Sequence, residues 1–161
     1  MIQVLDQCAE KRAVRCEQKV KTLNKSVLLK FFHKIDNDFN PSLSHKTNLD
    51  SFGEKILKNA KLFVSYTDDG EIKGMVAIYA NNFESHYSYI PLIAVGSDYR
   101  KQGIARALLV QAIDYVRGLG KGKINCIGIH TNNPVALHLY EELGFCLKDE
   151  SQNREYLELN F

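Results

Sequence analysis

An α+β fold, close to α/β in its second half, follows from three observations on this sequence. An Asp-Gly turn in "DDGE" separates two apolar runs, "KLFVSYT" and "IKGMVAIYA", which signals an antiparallel hairpin. A third run, "YSYIPLIAV", is rich in β-branched and aromatic residues and leads through a polar loop into a strongly amphipathic helix. Beyond it, a strand, a helix and two closing strands alternate. The expected sheet is mixed, mostly antiparallel and twisted, with helices on both faces.

The elements can be taken in order. "KSVLLKFFHKI" sets Val27, Leu28, Phe31, Phe32 and Ile35 at helical spacing. "IDNDFNPSLS" breaks that pattern with Asp, Asn, Pro41 and Ser and reads as a loop. "NLDSFGEKILKNA" places Leu49, Phe52, Ile56 and Leu57 on one helical face, although Gly53 weakens the helix. In the third strand Pro91 has no N–H for a ladder, so a bulge is expected there. Ile104, Leu108, Ala112, Tyr115 and Leu119 form the stripe of the next helix, which Gly118 and Gly120 end. "KINCIGI" reads as a short buried strand. "NPVALHLYEELG" is a helix with Pro134 in its first turn and Gly144 past its end. "FCLKD" and "EYLELNF" are the closing strands. No repeat or linker interrupts the 161 residues, so one domain is expected, with a helical region over 1–60 and the sheet over 61–161.

Composition narrows the function. Hydrophobic residues make up 45% and charged residues 25%, ordinary for a globular protein. A net charge of +2, with no basic run longer than Arg100-Lys101, argues against nucleic acid. No apolar run reaches the length of a membrane span, and no secretory signal is visible, so no membrane role and a cytoplasmic location are expected. None of the four cysteines forms a C-x-x-C pair, so no metal site is expected. Cys126 and Cys146 lie in apolar stretches and read as small core residues.

The stretch "SDYRKQGIARALL", Ser97 to Leu109, points to a phosphate-bearing ligand. The first amides of a helix have no intrahelical acceptor, and the helix dipole adds partial positive charge at that end. An anion there gains hydrogen bonds and a favourable field. Gly103 removes a side chain where phosphate would approach the backbone, and Ala105 keeps the next turn low. Arg100, Lys101 and Arg106 add positive charge. An isolated pattern of this kind would more simply be a turn with solvated cations; a strand before it, a helix after it and a second motif tip the balance. Other nucleotide signatures fail. There is no G-x-x-x-x-G-K-[ST], and "GLGKG" follows a helix and precedes a strand, the reverse of a dinucleotide fingerprint.

With both motifs in view, the chain resembles the GNAT superfamily of acyl-CoA-dependent N-acetyltransferases. Arg100-Lys101-Gln102-Gly103-Ile104-Ala105 is similar to the family's [R/Q]-x-x-G-x-[G/A], after a strand ending in Ile93-Ala94-Val95. Asn133-Pro134-Val135-Ala136 and Tyr140-Glu141-Glu142-Leu143-Gly144-Phe145 are similar to its second motif. The likeness covers Lys61 to Phe145; the first sixty residues, where acceptor specificity lies in the family, share little. The resemblance implies a central strand pair splayed at the ends bearing Val95 and His130, with the acetyl-CoA pantetheine arm between them. It also implies pairing of that arm with Ile93 and Val95, and diphosphate on the amides from Lys101 through Gln102, Gly103, Ile104 and Ala105 to Arg106. Asn133 and Ala136 would line the cofactor path, and Tyr140 would point at the sulfur.

The implied chemistry is transfer of an acetyl group to a primary amine. A lysine-like amine, pKa near ~10.4, must lose a proton before it attacks, and the oxyanion needs donors such as N–H groups near Val95. Tyr140 is the candidate donor to the departing thiolate. With a thiol near ~8.5 and tyrosine near ~10, full proton transfer is uphill by roughly 2 kcal/mol, so Tyr140 acts by hydrogen bonding, partial transfer or a lowered pKa. The alternative for Tyr140 is an aromatic anchor for its helix; its place seven residues after Asn133, as in the family, favours the chemical role. Where some members carry a glutamate base, six residues before Val95, this chain has Tyr89, which is a poor base alone and calls for a water relay or a partner. His86, Tyr87 and His138 read equally as exposed residues, and His130 at a strand end is open. Asp36 and Asp38 could bind a cationic amine with Phe39 as cover, or simply end a helix. A loose likeness to members that act in surface-sugar synthesis ranks a small-molecule amine, such as an amino sugar, first. A protein N-terminus or lysine, or an acyl-CoA-binding module without turnover, are the alternatives, and a homodimer is open.

Overall fold

The structure, a computed structural model, describes residues 23–151 and 154–161. Cys8, Cys16 and the start of the expected helical region lie outside the described residues.

Three helices open the described chain: α1 (Lys25–Ile35), α2 (Leu43–Lys46) and α3 (Leu49–Asn59). Asn24 caps α1 by accepting from the Val27 amide at 3.0 Å, and Asn48 caps α3 by accepting from Ser51 at 2.9 Å. The segment expected as a plain loop holds more order than its composition indicates. A 3-10 turn over Asp36–Asp38 and the short α2 occupy it, because the Asp36 carboxylate accepts from both the Ser44 amide and hydroxyl, at 2.6 and 2.7 Å.

Six strands follow: β1 (Lys61–Tyr66), β2 (Ile72–Tyr79), β3 (Tyr87–Val95), β4 (Cys126–Thr131), β5 (Cys146–Ser151) and β6 (Arg154–Asn160). They form one sheet in the order β1-β2-β3-β4-β6-β5, antiparallel except for the central β3–β4 pair. Helix α4 (Ile104–Gly118) and helix α5 (Pro134–Glu142) cross over after β3 and β4. Helices α4 and α5 pack on one sheet face around Val76, Ile90, Leu109, Ile129 and Leu157. Helices α1 and α3 cover the other face over β1 to β3, around Phe32, Ile56, Met75 and Leu92. Burying each such side chain contributes about 1.5–3 kcal/mol.

The expected irregularity at Pro91 is present. Ala77 pairs with Leu92 and Tyr79 with Tyr89, so one β2 residue faces two on β3, Ile90 and Pro91. Parallel pairing to β4 runs only from Tyr87–Cys126 to Ile90–Ile129. At Pro91, which has no N–H, the two strands part, and this is the expected splayed pair. The cysteine expectation needs correction. Cys146 is exposed and Cys126 half-buried, because each begins a strand at the sheet's rim. Burial still pushes the Cys126 thiol up to about 11 and keeps it protonated.

Candidate active site

The splay opens a cavity of about 670 Å³ between β3 and β4. The loop before α4 forms one wall. Lys101 and Gly103 both adopt left-handed backbone, φ 59° and 75°. Gly103 does so freely, whereas Lys101 costs about 1–2 kcal/mol, strain of the kind that collects at functional sites. A Cβ on Gly103 would meet nothing within 4 Å, so the space above it is open. Unlike α1, α3 and α5, helix α4 has no side-chain cap. Among the described residues no acceptor takes the amides of Ile104, Ala105 or Arg106. These bare donors face the cavity that Lys101, Gly103, Ile104, Ala105 and Arg106 line, while Gln102 stands exposed beside them.

Two of the three expected cations carry partners. Arg100 Nε donates to the Val95 carbonyl at 3.1 Å, and Nη2 pairs with Asp38 at 2.5 Å. Arg106 pairs with Glu142, tying α4 to α5. Much of their charge is therefore neutralised locally, and the amides and Lys101 dominate the field of the loop.

Along the gap, Ile93 and Val95 line the cavity from β3. Asn133 and Ala136 line it from the start of α5, where the Asn133 side chain also accepts from the Val135 amide at 3.0 Å. Tyr140 is 2% exposed, belongs to the core and still contributes to the cavity wall. Among the described residues no hydrogen bond engages its hydroxyl. Burial, and then the neighbouring Tyr89, push its pKa well above the usual tyrosine value, the opposite of an activated acid.

On the opposite wall Tyr89 is half-buried, and its hydroxyl lies 3.2 Å from His130 Nδ1. Sequence left His130 open; the β3–β4 register, with Tyr89 beside Gly128 and the histidine two residues on, brings it to Tyr89. The His130 ring also packs at 4.7 Å on Tyr156, whose hydroxyl donates to Glu158 at 2.7 Å and meets the Tyr87 hydroxyl at 2.9 Å. Gly128 leaves room for the Tyr87 and Tyr156 hydroxyls to meet, since a Cβ there would overlap both as they now stand. Burial first, then the Arg154 charge, hold His130 below its usual pKa, against an opposing pull from Asp149. His130 is thus neutral at pH 7.

The remaining candidates separate. His86 is exposed in its loop, with Nδ1 3.2 Å from the Lys123 carbonyl, and His138 is exposed beside Glu142 at 3.2 Å. Asp36 is engaged by Ser44 and is not a lining residue; Asp38 and Phe39 are. Two lining residues, Lys46 and Arg154, had no signal in the sequence.

The fold is thus a mixed sheet whose one parallel central pair splays open beside the bare start of α4. The family model for the Acetyltransferase (GNAT) family matches residues 29–145, and the chain belongs to that family. An acetyltransferase of Agrobacterium fabrum is 34% identical over 100 residues, 61% of this chain and 66% of that protein. The ribosomal-protein-alanine N-acetyltransferase of Escherichia coli is 42% identical over 53 residues, 33% of this chain and 35% of that protein. The crystal structure of the E. coli ribosomal-protein-S18-alanine N-acetyltransferase superposes with a TM-score of 0.67 at 19% identity, covering 89% of this chain and 91% of that one. A Bacillus anthracis structure of the streptothricin acetyltransferase type, solved with acetyl coenzyme A, has a TM-score of 0.52 at 24% identity, covering 64% and 63%. At these identities the structural likeness shows the fold. The chain spans two thirds or less of the length of the curated relatives it matches, from 27% to 66%. Acetyl-CoA is the acyl donor of the family.

Proposed function

We propose that this chain is an acetyl-CoA-dependent N-acetyltransferase acting on a primary amine of a small molecule, such as an amino sugar. The observation that carries the reading is the set of unaccepted amides from Ile104 to Arg106, opening on the same cavity as Tyr140 and Tyr89. Those amides, with Lys101 and the open space above Gly103, suit a diphosphate. Gln102 and Arg100 shape the loop, Arg100 by holding it to Asp38 and the Val95 carbonyl. Ile93 offers main-chain groups freed by the splay, Val95 lines the gap with its carbonyl held by Arg100, and Asn133 and Ala136 wall the arm. The thioester supplies an activated acyl carbonyl.

Tyr89 and His130 act together on the acceptor. The Tyr89 oxygen takes a proton from the amine, directly or through one water, as its own proton passes to His130 Nδ1. This relay answers the weakness of tyrosine as a base, and the depressed His130 pKa returns the proton readily to solvent. The amine nitrogen bonds to the acetyl carbon, the C–S bond breaks, and its electron pair leaves on sulfur. Tyr140 donates a hydrogen bond to that sulfur. Its raised pKa favours a shared over a transferred proton, and the thiolate takes its proton from solvent.

A small acceptor is supported by the roofed acceptor end, where Asn132 Nδ2 donates to the Asn40 carbonyl at 2.6 Å and ties the α1–α2 connection to the end of β4. A protein N-terminus is the second reading, favoured by the 42% identity to the ribosomal-protein-alanine N-acetyltransferase. The test is thiol release from acetyl-CoA across an amine panel that includes an alanine-led peptide. Tyr140→Phe should lower kcat about 100-fold while the calorimetric affinity for CoA stays within about twofold. Unchanged turnover in a folded Tyr140→Phe protein would remove the tyrosine from the chemistry. No turnover with any amine, in the wild type, would leave only an acyl-CoA-binding module.

A further inference from the structure

The cations that line the cavity differ in charge balance. Arg100 and Arg106 are matched by Asp38 and Glu142. Two further lining cations are Lys46, closing α2, and Arg154, opening β6. They are remote in sequence and line one cavity, and among the described residues neither has an ion-pair partner. Lys46 lies over the Phe39 ring at 5.6 Å. The fields of the two cations overlap: after burial, the Arg154 charge lowers the Lys46 pKa, and the same charge reaches Tyr89 and His130. The acid felt on this side, Asp149, acts on His130. Two like charges on the wall of one cavity repel each other and attract an anion.

We propose that the acceptor amine carries a carboxylate or a phosphate, and that Lys46 and Arg154 hold this anion while the amine faces Tyr89. The proposal rests on the acetyl-transfer reading and narrows its substrate. It displaces the expectation that Asp36 and Asp38 bind a cationic amine, since Ser44 and Arg100 already occupy those carboxylates. A polycation such as spermidine is repelled from this wall. The same two charges disfavour the ammonium form of the bound acceptor and so help to release the proton that Tyr89 takes.

Matched probe pairs test it: O-phosphoethanolamine against ethanolamine, β-alanine against β-alaninamide, and spermidine as the polycation. An anionic member should exceed its neutral partner in kcat/KM by about tenfold or more, the worth of one charge-assisted hydrogen bond. The pair that shows it tells phosphate from carboxylate. Arg154→Ala and Lys46→Ala should each collapse that ratio through KM for the anionic amine, with KM for acetyl-CoA within about twofold. Both side chains are exposed, and thermal unfolding of the variants checks that they fold. Preference for neutral or cationic amines overturns the anion site and leaves acetyl transfer standing. So does a preference that survives both substitutions, and so does a rise in KM for acetyl-CoA, which would assign the cations to the donor. Turnover with the alanine-led peptide alone overturns the anion site and leaves acetyl transfer standing, and no turnover with any probe or with that peptide overturns both together.

Discussion

The Tyr89–His130 contact concentrates the acid–base chemistry in two side chains whose separate properties would not supply it. Tyrosine is too weak a base and a histidine at its ordinary pKa is more readily protonated; partial desolvation and the Arg154 charge hold this imidazole neutral. The sign of the pH effect follows. Below the amine's own pKa, log kcat/KM should rise with a slope of about one as free amine accumulates. As the pH drops below about 6.5, the ordinary histidine value, protonation of His130 should steepen the slope toward about two, at a pH lower than 6.5 because its pKa is depressed. His130→Gln should keep the first slope and lose the second, as pH-rate profiles of the two proteins would show. Stability moves the same way. The unfolded chain protonates His130 first, so folding stability falls as the pH passes from the unfolded pKa down through the folded one.

At the scale of elements, helix α3 and strand β3 each carry a residue that looks unfavourable locally. Gly53 is buried where α3 crosses α1, and a Cβ there would lie 3.7 Å from Leu28, Leu29 and Phe32, ordinary contact distance. Gly53→Ala should therefore stabilise the protein by about 1 kcal/mol through helix propensity, whereas Gly53→Leu should destabilise it by about 1–3 kcal/mol through overpacking. Denaturant midpoints measure both. Pro91 sits in the bulge where β3 leaves β4. Pro91→Ile restores an N–H and allows the ladder to continue past Ile90–Ile129 into the gap. CoA affinity should fall about tenfold, the worth of one or two main-chain hydrogen bonds, with no loss of thermal stability. Calorimetry and thermal unfolding on the same preparation would separate the two effects.

Over the whole molecule, one sheet carries two apolar clusters, and the cavity lies where β3 and β4 part between them. A ligand spanning that gap binds the folded chain and not the unfolded one. Acetyl-CoA at a hundredfold excess over Kd should add about 2.7 kcal/mol and raise Tm by about 5–10 °C, read by scanning calorimetry. Among the described residues no helix is long and apolar enough to cross a membrane. The elements were legible in the sequence because each is written locally: the Asp-Gly hairpin, the stripe from Ile104 to Leu119, the proline that ends a ladder. The cofactor loop was legible for the same reason, since Gly103 and a helix start adjoin in the chain. The short helix α2 escaped notice because its anchor, Asp36, lies eight residues before Ser44. The partners of Arg100, the histidine beside Tyr89 and the joint field of Lys46 and Arg154 were decided only by tertiary structure. Each joins residues from different elements, and which side chains meet across a gap depends on strand register and helix docking, which no local pattern encodes.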